Sequence, residues 1–404
     1  MNGTVKILRI EFSEVAIFQK GFTVDFIATD RVYRDTLLNI QSSIYTQNVM
    51  SFIGVNASGK TTVLNLLNFA MSYVLKGMDL SDIDIPLGLF RNPVQVTVYF
   101  YFNEKIYCLE STIECAKKDD QPCYLYFAEE TLISKPINSV RNRKNLFEFS
   151  SARNSDNVII QIRSQLGKQE RQFLKGDTSI IFPYTNEFKT YLNHSLYETN
   201  INVFRTLGST PKPVTNLFDD SIEYIEGENN SKPSGEFTET WKLKFRNEDT
   251  IHQFFDPVDL GKVLSSGTIR GNNMFSQIIS CLVYGGYFIV DELENHFNKK
   301  LVEVIINLFM DTTINRNGAT LLFSTHYTEL LDTLDRKDNI FVCTRDSSFS
   351  ASVVKYSDAI KRNDVKKSDV ILSNRIGGTA PKYQYVHAMK ELAKAIVESD
   401  DELE

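Results

Sequence analysis

The stretch Gly54-Val-Asn-Ala-Ser-Gly-Lys-Thr-Thr62 decides the fold, because it matches the phosphate-binding pattern G-x-x-x-x-G-K-[ST] at every required position. The apolar residues 49–53 before it predict a buried strand, and the apolar periodicity of residues 62–71 predicts a helix after it. Such a loop wraps backbone N–H groups around a phosphate, while its lysine reaches the β- and γ-phosphates. The sequence therefore predicts a site for ATP and Mg²⁺, formed by Gly54, Asn56, Ala57, Ser58, Gly59, Lys60, Thr61 and Thr62, with the Thr61 hydroxyl as a metal ligand.

Two later segments carry groups that nucleotide hydrolysis needs. Residues 286–292, Gly-Tyr-Phe-Ile-Val-Asp-Glu, predict a buried strand that ends in two acids. We expect Asp291 to hold the Mg²⁺ shell, and Glu292 to orient and deprotonate the attacking water. Residues 320–326, Thr-Leu-Leu-Phe-Ser-Thr-His, predict another strand that ends at His326. A single histidine at a strand end is more often a polar residue whose hydrogen bonds are satisfied within the protein. His326 is therefore a candidate site residue only because of its order and spacing after Asp291.

The segment Leu264-Ser-Ser-Gly-Thr268 completes the set, although alone it could be a plain helix N-cap. In order and spacing these motifs resemble the ATP-binding-cassette (ABC) superfamily, in which this segment is the signature loop and His326 the H-switch. From residue 264 to about 382 the chain is similar to abortive-infection (AbiL-type) ATP-binding proteins, relatives of the RecF, OLD and SMC ATPases. The matching stretches there are Val290-Asp-Glu-Leu-Glu-Asn295, Asn317-Gly-Ala-Thr-Leu-Leu-Phe-Ser-Thr-His326, Leu330-Leu-Asp332 and Asn374-Arg-Ile-Gly-Gly-Thr-Ala-Pro381. Residues 1–75 also match in pattern, so the resemblance covers roughly half the chain.

The resemblance implies two heads that sandwich two ATP molecules, as a head-to-head dimer or a higher homo-oligomer. The signature residues Ser265, Ser266, Gly267 and Thr268 of one head would then contact the nucleotide of the other. Glu292 would be the general base and His326 the γ-phosphate sensor. The chain departs from the ABC pattern because no transporter-type Q-loop is evident, so that Gln95 is the candidate for its metal-contacting glutamine, and because Thr268 stands where the usual motif has Gln.

Alternating strands and helices in the C-terminal half predict an α/β fold with a mostly parallel core sheet, and the resemblance implies that it is a P-loop ABC-type ATPase head. Residues 1–127 are predicted to be the N-terminal half of the head, with an antiparallel β-subdomain whose first strand, near residues 5–12, lies at an edge. A hairpin is predicted to turn at Asn103-Glu104. Residues 128–235 read as an inserted, partly helical lobe, and 236–404 as the C-terminal half. The apolar stripe of residues 383–397 predicts an internal packing face more than a partner-docking helix.

The composition limits the cellular location and the partners that the protein can have. The chain has 404 residues, no run of 18 apolar residues and no signal-peptide pattern, which indicates a cytoplasmic protein without membrane contact. The five cysteines have no metal-ligand spacing and read as reduced thiols. Residues 135–175 carry nine Lys and Arg against three acids, in a chain of net charge −7. This basic segment fits nucleic acid or an acidic protein, and equally a solvated loop.

Two functions follow as expectations. The first is an ATPase switch in a prokaryotic anti-phage, abortive-infection-type system. The sequence shows no nuclease constellation, so this role needs a separately encoded effector, such as a nuclease or toxin. The alternative is a RecF-like ATPase of DNA repair and maintenance, for which the basic segment is the support.

Overall fold

A computed structural model describes most of the chain. The described residues are 4–13, 15, 17–30, 36–41, 44–83, 88, 90, 93–116, 124–140, 143–149, 158–196, 203–204, 209–231, 237–295, 297–379 and 387–394.

The described part contains strands in four sheets. In chain order they are β1 (Lys6–Phe12), β2 (Phe22–Asp25), β3 (Leu38–Gln41), β4 (Ile44–Thr46), β5 (Val49–Ile53), β6 (Val94–Phe102), β7 (Lys105–Ala116), β8 (Tyr124–Pro136), β9 (Val158–Ile162), β10 (Leu192–His194), β11 (Ile222–Ser231), β12 (Phe237–Phe245), β13 (Ile251–Phe254), β14 (Tyr287–Val290), β15 (Thr320–Thr325), β16 (Ile340–Arg345) and β17 (Ala351–Lys355).

Helices lie between these strands. They are α1 (Lys60–Phe69), which continues as a π-helical segment over Ala70–Leu75, α2 (Arg143–Leu146), α3 (Glu170–Phe173), α4 (Lys212–Phe218), α5 (Pro257–Val263), α6 (Ser266–Tyr284), α7 (Lys299–Met310), α8 (Tyr356–Ala359) and α9 (Lys367–Leu372). Short 3₁₀ turns lie at Leu80–Asp82, Ile137–Ser139, Arg163–Gln165, Phe182–Tyr184 and Thr328–Thr333.

The core sheet has the strand order β10-β14-β15-β5-β16-β17, and all of its pairs are parallel except β16 with β17. This confirms the predicted mostly parallel core. Every residue of β5, β14 and β15 is buried, because helices cover both faces of such a sheet. The parallel arrangement brings the carboxyl ends of β5, β14, β15 and β16 to one edge, which we call the carboxyl edge. The phosphate-binding loop, the two acids and His326 all leave the sheet there.

The second large sheet is antiparallel, with the order β2-β1-β6-β7-β8-β9. The predicted hairpin is present: β6 and β7 join through Asn103 and Glu104, whose φ angles are 44° and 62°. Positive φ at both central residues gives the turn the twist that the strands need. The expectation of an edge position for the first strand was wrong, because β1 lies between β2 and β6.

The segment 128–235 does not form the separate, partly helical lobe that its polar composition predicts. The expected boundary falls inside β8, and β8 and β9 extend the antiparallel sheet. β10 pairs with β14 at the edge of the core sheet, and β11 belongs to a small sheet with β12 and β13. The prediction failed because a polar residue of this segment is buried. Glu130 makes the sequence of β8 polar, but its carboxylate is buried and lies 2.7 Å from the Arg163 guanidinium.

The basic segment is less exposed than its charge count predicts. Lys135 is 2% exposed; its ammonium donates to the carbonyl oxygens of Asn145 and Glu148 and lies 4.1 Å from the centre of the Phe149 ring. Arg163 is held by Glu130. Lys168, Arg171 and Lys175 are exposed, whereas Arg141 and Arg153 lie outside the described residues.

Two further expectations fail. Residues 387–394 are helical, but Met389 is 73% and Leu392 62% exposed, so this part of the apolar stripe is not an internal packing face; Val386 and Ile396 lie outside the described residues. Cys108, Cys281 and Cys343 are buried free thiols, but Cys115 is disulfide-bonded. Within the described chain, every helix is too short or too polar to cross a membrane.

Candidate functional site

The phosphate-binding loop takes its shape from close backbone contacts. A Cβ atom at Gly54 would lie 2.3 Å from the carbonyl oxygen of Cys343 on β16, so only glycine fits beside that strand. Ala57 and Gly59 have positive φ angles of 59° and 105°, which reverse the chain before α1 begins at Lys60. The first-turn N–H groups of α1 therefore point into the same space as the loop amides, which is the arrangement that binds phosphate.

Lys60 is 6% exposed, and its ammonium group donates to carbonyl oxygens of the loop. Nζ donates to Gly54 at 2.9 Å and to Val55 at 3.2 Å. Burial lowers the pKa of Lys60 below its ordinary value. A phosphate anion beside it would compensate the buried charge more effectively than neutral carbonyls do.

Asp291 joins the end of β14 to the phosphate-binding loop. Its carboxylate is 9% exposed and accepts a hydrogen bond of 2.7 Å from the Thr61 hydroxyl and another from the Ser324 hydroxyl. Hydroxyl and carboxylate oxygens are the hard ligands that Mg²⁺ prefers, and Mg²⁺ in nucleotide sites needs few of them because phosphates and water complete its shell. Thr61 and Asp291 therefore fit the predicted metal site.

Glu292 is held in an uncommon conformation, with φ of 48°, where a non-glycine residue is under strain. Asn295 donates to one carboxylate oxygen at 2.6 Å, and Nε2 of His326 lies 3.2 Å from the other. Ser324 accepts a hydrogen bond from the Glu292 backbone at 2.7 Å. The carboxylate is therefore aimed by its neighbours, yet it stays partly open to solvent.

His326 is fixed in turn by the acid two residues after Glu292. The backbone N–H of His326 donates to Glu294 at 2.5 Å. Ser324, Glu294 and Asn295 are supporting residues that motif reading did not single out. Their signal was present in the chain, because Glu294 and Asn295 follow the two acids within one short turn and Ser324 precedes His326 by two residues.

Glu292 and His326 line one cleft of about 360 Å³ at the carboxyl edge; Asp291 does not line it but bonds to Thr61, which does. Most of the predicted nucleotide residues line it, together with one residue that the sequence did not indicate, Arg345 at the end of β16. The lining residues are Asn56, Ala57, Gly59, Lys60, Thr61, Thr62, Glu292, His326 and Arg345. A larger cleft of about 930 Å³, lined among others by Lys6, Lys76 and Tyr284, contains none of the predicted site residues.

The signature residues lie elsewhere. Ser265 is the N-cap of α6: its hydroxyl accepts from the Thr268 backbone at 3.0 Å, and the two hydroxyls lie 2.7 Å apart. Ser265 and Ser266 are exposed, Gly267 is half-buried, and none of the four signature residues lines the cleft. Gln95 is exposed on β6, where its backbone pairs with Ser13, and it is not a cleft residue either.

Comparison with known protein families shows a match over half of the chain. The family model described as "AAA domain, putative AbiEii toxin, Type IV TA system" matches residues 128–332. This range contains the signature loop, both acids and His326, and it begins after the phosphate-binding loop. No curated protein matches the chain.

Proposed function

Because the chain belongs to this AAA-domain family of P-loop ATPases, we propose that it is an ATP-binding and ATP-hydrolysing switch in a prokaryotic anti-phage, abortive-infection-type defence system. The observation that carries the ATPase is the convergence of Lys60, Thr61, Glu292 and His326 on one cleft, with Asp291 bonded to Thr61. The family description, with its toxin and type IV toxin–antitoxin system, supports the defence setting.

Each of these residues has a separate role in hydrolysis, which its position determines. Lys60 and the loop amides bind the phosphates of ATP, which is the substrate. Glu292 accepts a proton from water aligned with the γ-phosphate, and His326 and Asn295 keep that carboxylate aimed. Thr61 and Asp291 would hold Mg²⁺, which offsets phosphate charge when it is bound. Glu292 is half-open to solvent, so both water and nucleotide can reach it.

Dimerisation is the second part of the proposal. Ser265 and Ser266 are exposed at the N-terminus of the 19-residue helix α6, a position that favours anions, but they do not reach the cleft of their own chain. A second copy can bring them to the γ-phosphate. Exposed apolar side chains lie on the elements that lead to the signature loop: Ile251, Phe255, Val258 and Val263. Such side chains are typical of a surface that a partner covers.

A separate effector completes the proposal. Within the described residues, no group of three His, Cys, Asp or Glu side chains is placed to hold a metal ion as a metal-dependent nuclease would. The ATPase would therefore control a nuclease or toxin encoded elsewhere. The RecF-like alternative loses support, because Lys135 and Arg163 of the basic segment are occupied inside the protein.

Substitution at the signature loop tests the sandwich. Ser265→Arg should leave ATP binding to the monomer intact but abolish both ATP-dependent dimerisation and hydrolysis, because the added side chain blocks closure. Ser276→Arg is the matched control, since it adds the same charge and bulk to an exposed position of the same helix. Light scattering with ATP and a phosphate-release assay measure the two effects. Normal hydrolysis by Ser265→Arg would refute the arrangement in trans.

The effector is tested by the native mass of the protein co-expressed with the products of its neighbouring genes. We expect a complex that contains a nuclease or toxin and changes composition when ATP is added. A complex with replication or recombination proteins would instead favour the DNA-maintenance role.

A further inference from the structure

Arg345 is a cation in the nucleotide cleft that belongs to none of the recognised motifs. It is the last residue of β16, which runs parallel to β5 on the side away from β14 and β15. Arg345 therefore reaches the cleft from the flank opposite to Asp291 and Glu292. It shares the cleft with Lys60, while Glu292 is the one carboxylate among the described lining residues.

The protein gives the Arg345 side chain no partner among the described residues. Its Nε is buried without a hydrogen bond. The adjacent acid, Asp346, is committed to its own turn, where it accepts from the hydroxyl and backbone of Ser348 and the backbone of Ser350. A guanidinium group keeps its charge at any ordinary pH and has five donors, and here the buried Nε lacks a partner beside a second cation, so an anion in the cleft would stabilise it.

The backbone of Arg345 is braced by the late glycine motif. Residues 374–379 make a tight turn with positive φ at Asn374, Gly377 and Gly378. The Asn374 side chain closes this turn by accepting from the Thr379 backbone at 2.8 Å. A Cβ atom at Gly378 would lie 3.2 Å from the Arg345 carbonyl oxygen. The turn therefore packs directly against the residue from which the guanidinium projects.

We infer that Arg345 is a phosphate-binding residue of the nucleotide site, and that the turn at 374–379 positions it. The ligand is the phosphate chain of the nucleotide, since the charge and fork geometry of a guanidinium match phosphate oxygens. This inference rests on the proposed nucleotide site. It gives the glycine motif near the C-terminus a function within that site.

The direct test is the affinity for ATP and ADP, measured by equilibrium titration of the full-length chain. Arg345→Gln should weaken both on the order of tenfold to a hundredfold, the usual effect of losing a charged hydrogen bond. Arg345→Lys should be intermediate, because it keeps the charge but loses the fork. Wild-type affinity in the Gln variant would overturn the assignment. If the Gln variant does not fold, wild-type affinity in the Lys variant would overturn it as well.

Lys60→Ala separates this inference from the proposed function. If Lys60→Ala loses ATP and Arg345→Gln does not, the inference about Arg345 fails and the nucleotide site stands. If neither variant changes ATP binding, the site itself is wrong.

The neighbouring glycines provide a matched pair for the positioning role. Gly377 and Gly378 both have positive φ, but a Cβ atom at Gly377 would meet nothing within 4 Å. Gly378→Ala should therefore weaken ATP binding clearly more than Gly377→Ala, although both strain the backbone. Combining Gly378→Ala with Arg345→Gln should add little to Arg345→Gln alone. Equal effects of the two glycine variants, or full additivity, would overturn the positioning role.

Discussion

Two regions of the molecule place basic side chains inside the protein, and they treat those charges in opposite ways. Under the antiparallel sheet, Arg163 donates to the buried Glu130 at 2.9 and 2.7 Å, and Glu130 also accepts from Ser179 at 2.6 Å and from the Ile180 backbone at 2.8 Å. At the carboxyl edge, Lys60 donates to carbonyl oxygens and is near the carboxylates of Asp291, Glu292 and Glu294 without bonding to them, and Arg345 has no described partner. In the first region an ion pair forms, although burial still raises the pKa of Glu130; in the second no described carboxylate bonds to either cation.

This difference between the two regions indicates which of them binds a ligand. A buried charge without a strong partner costs free energy, so a stable fold keeps it only where binding compensates it. Charges that protein groups satisfy serve stability. By this reasoning the basic segment at 135–175 contributes structure through Lys135 and Arg163, and the carboxyl edge is the region prepared for an anion.

The largest expected effect is on the carboxyl edge. Lys60→Ala should abolish ATP binding, because it removes the charge that faces the β- and γ-phosphates. It should not lower the thermal stability of the free protein much, since the lost ammonium is a buried charge whose hydrogen bonds go to carbonyls and whose desolvation outweighs the nearby carboxylates. Isothermal titration and a melting curve measure the two quantities. If the Lys60→Ala variant bound ATP with unchanged affinity, the carboxyl edge would not be the region that binds the anion.

The complementary substitution, in the region under the antiparallel sheet, should lower the stability of the fold and leave ATP binding unchanged. Glu130→Gln should destabilise the fold by about 3–5 kcal/mol, the usual cost of breaking a buried ion pair, and leave ATP affinity unchanged. Glu129→Gln is the control: this neighbouring carboxylate is only half-buried and makes weak contacts with Ser164 at 3.3 and 3.2 Å. Its cost should be under about 1 kcal/mol. Denaturant titration of both variants measures the contrast.

The smallest expected effect is a pH dependence of ATP binding. Burial lowers the pKa of Lys60 in the free protein, and a bound phosphate raises it again. Affinity should therefore be flat below the lowered pKa and fall by up to about tenfold per pH unit above it. Titrations from about pH 7.5 to 10 measure this fall. Lys60→Arg should abolish the dependence, because arginine does not titrate in that range; a fall of equal slope in that variant would assign it to another group.

The sequence allowed prediction of the groups that lie in short linear motifs. The phosphate-binding loop, Glu292 and His326 meet in one cleft, and Asp291 bonds to Thr61 there, because four parallel strands end at one edge, which alternating strands and helices predict. Arg345 could not be found this way. It ends an ordinary apolar strand, and only the pairing of β16 with β5 places it beside the loop.

The prediction failed where polar residues, which usually indicate a solvent-exposed segment, are buried. Glu130 and Lys135 made β8 and its surroundings appear solvent-exposed, but each finds compensating groups that are distant or irregular in sequence. Local patterns do not contain that pairing. The edge position expected for β1 failed for a similar reason, because its second neighbour, β6, lies more than eighty residues away.

The most direct test of the ATPase centre compares hydrolysis and binding in Glu292→Gln. The amide is the same size and still hydrogen-bonds, but it cannot accept the proton of water. We expect ATP affinity close to wild type and a hydrolysis rate lower by about a thousandfold. Hydrolysis at the wild-type rate, with ATP still bound, would contradict the assignment of the carboxyl edge as the catalytic centre.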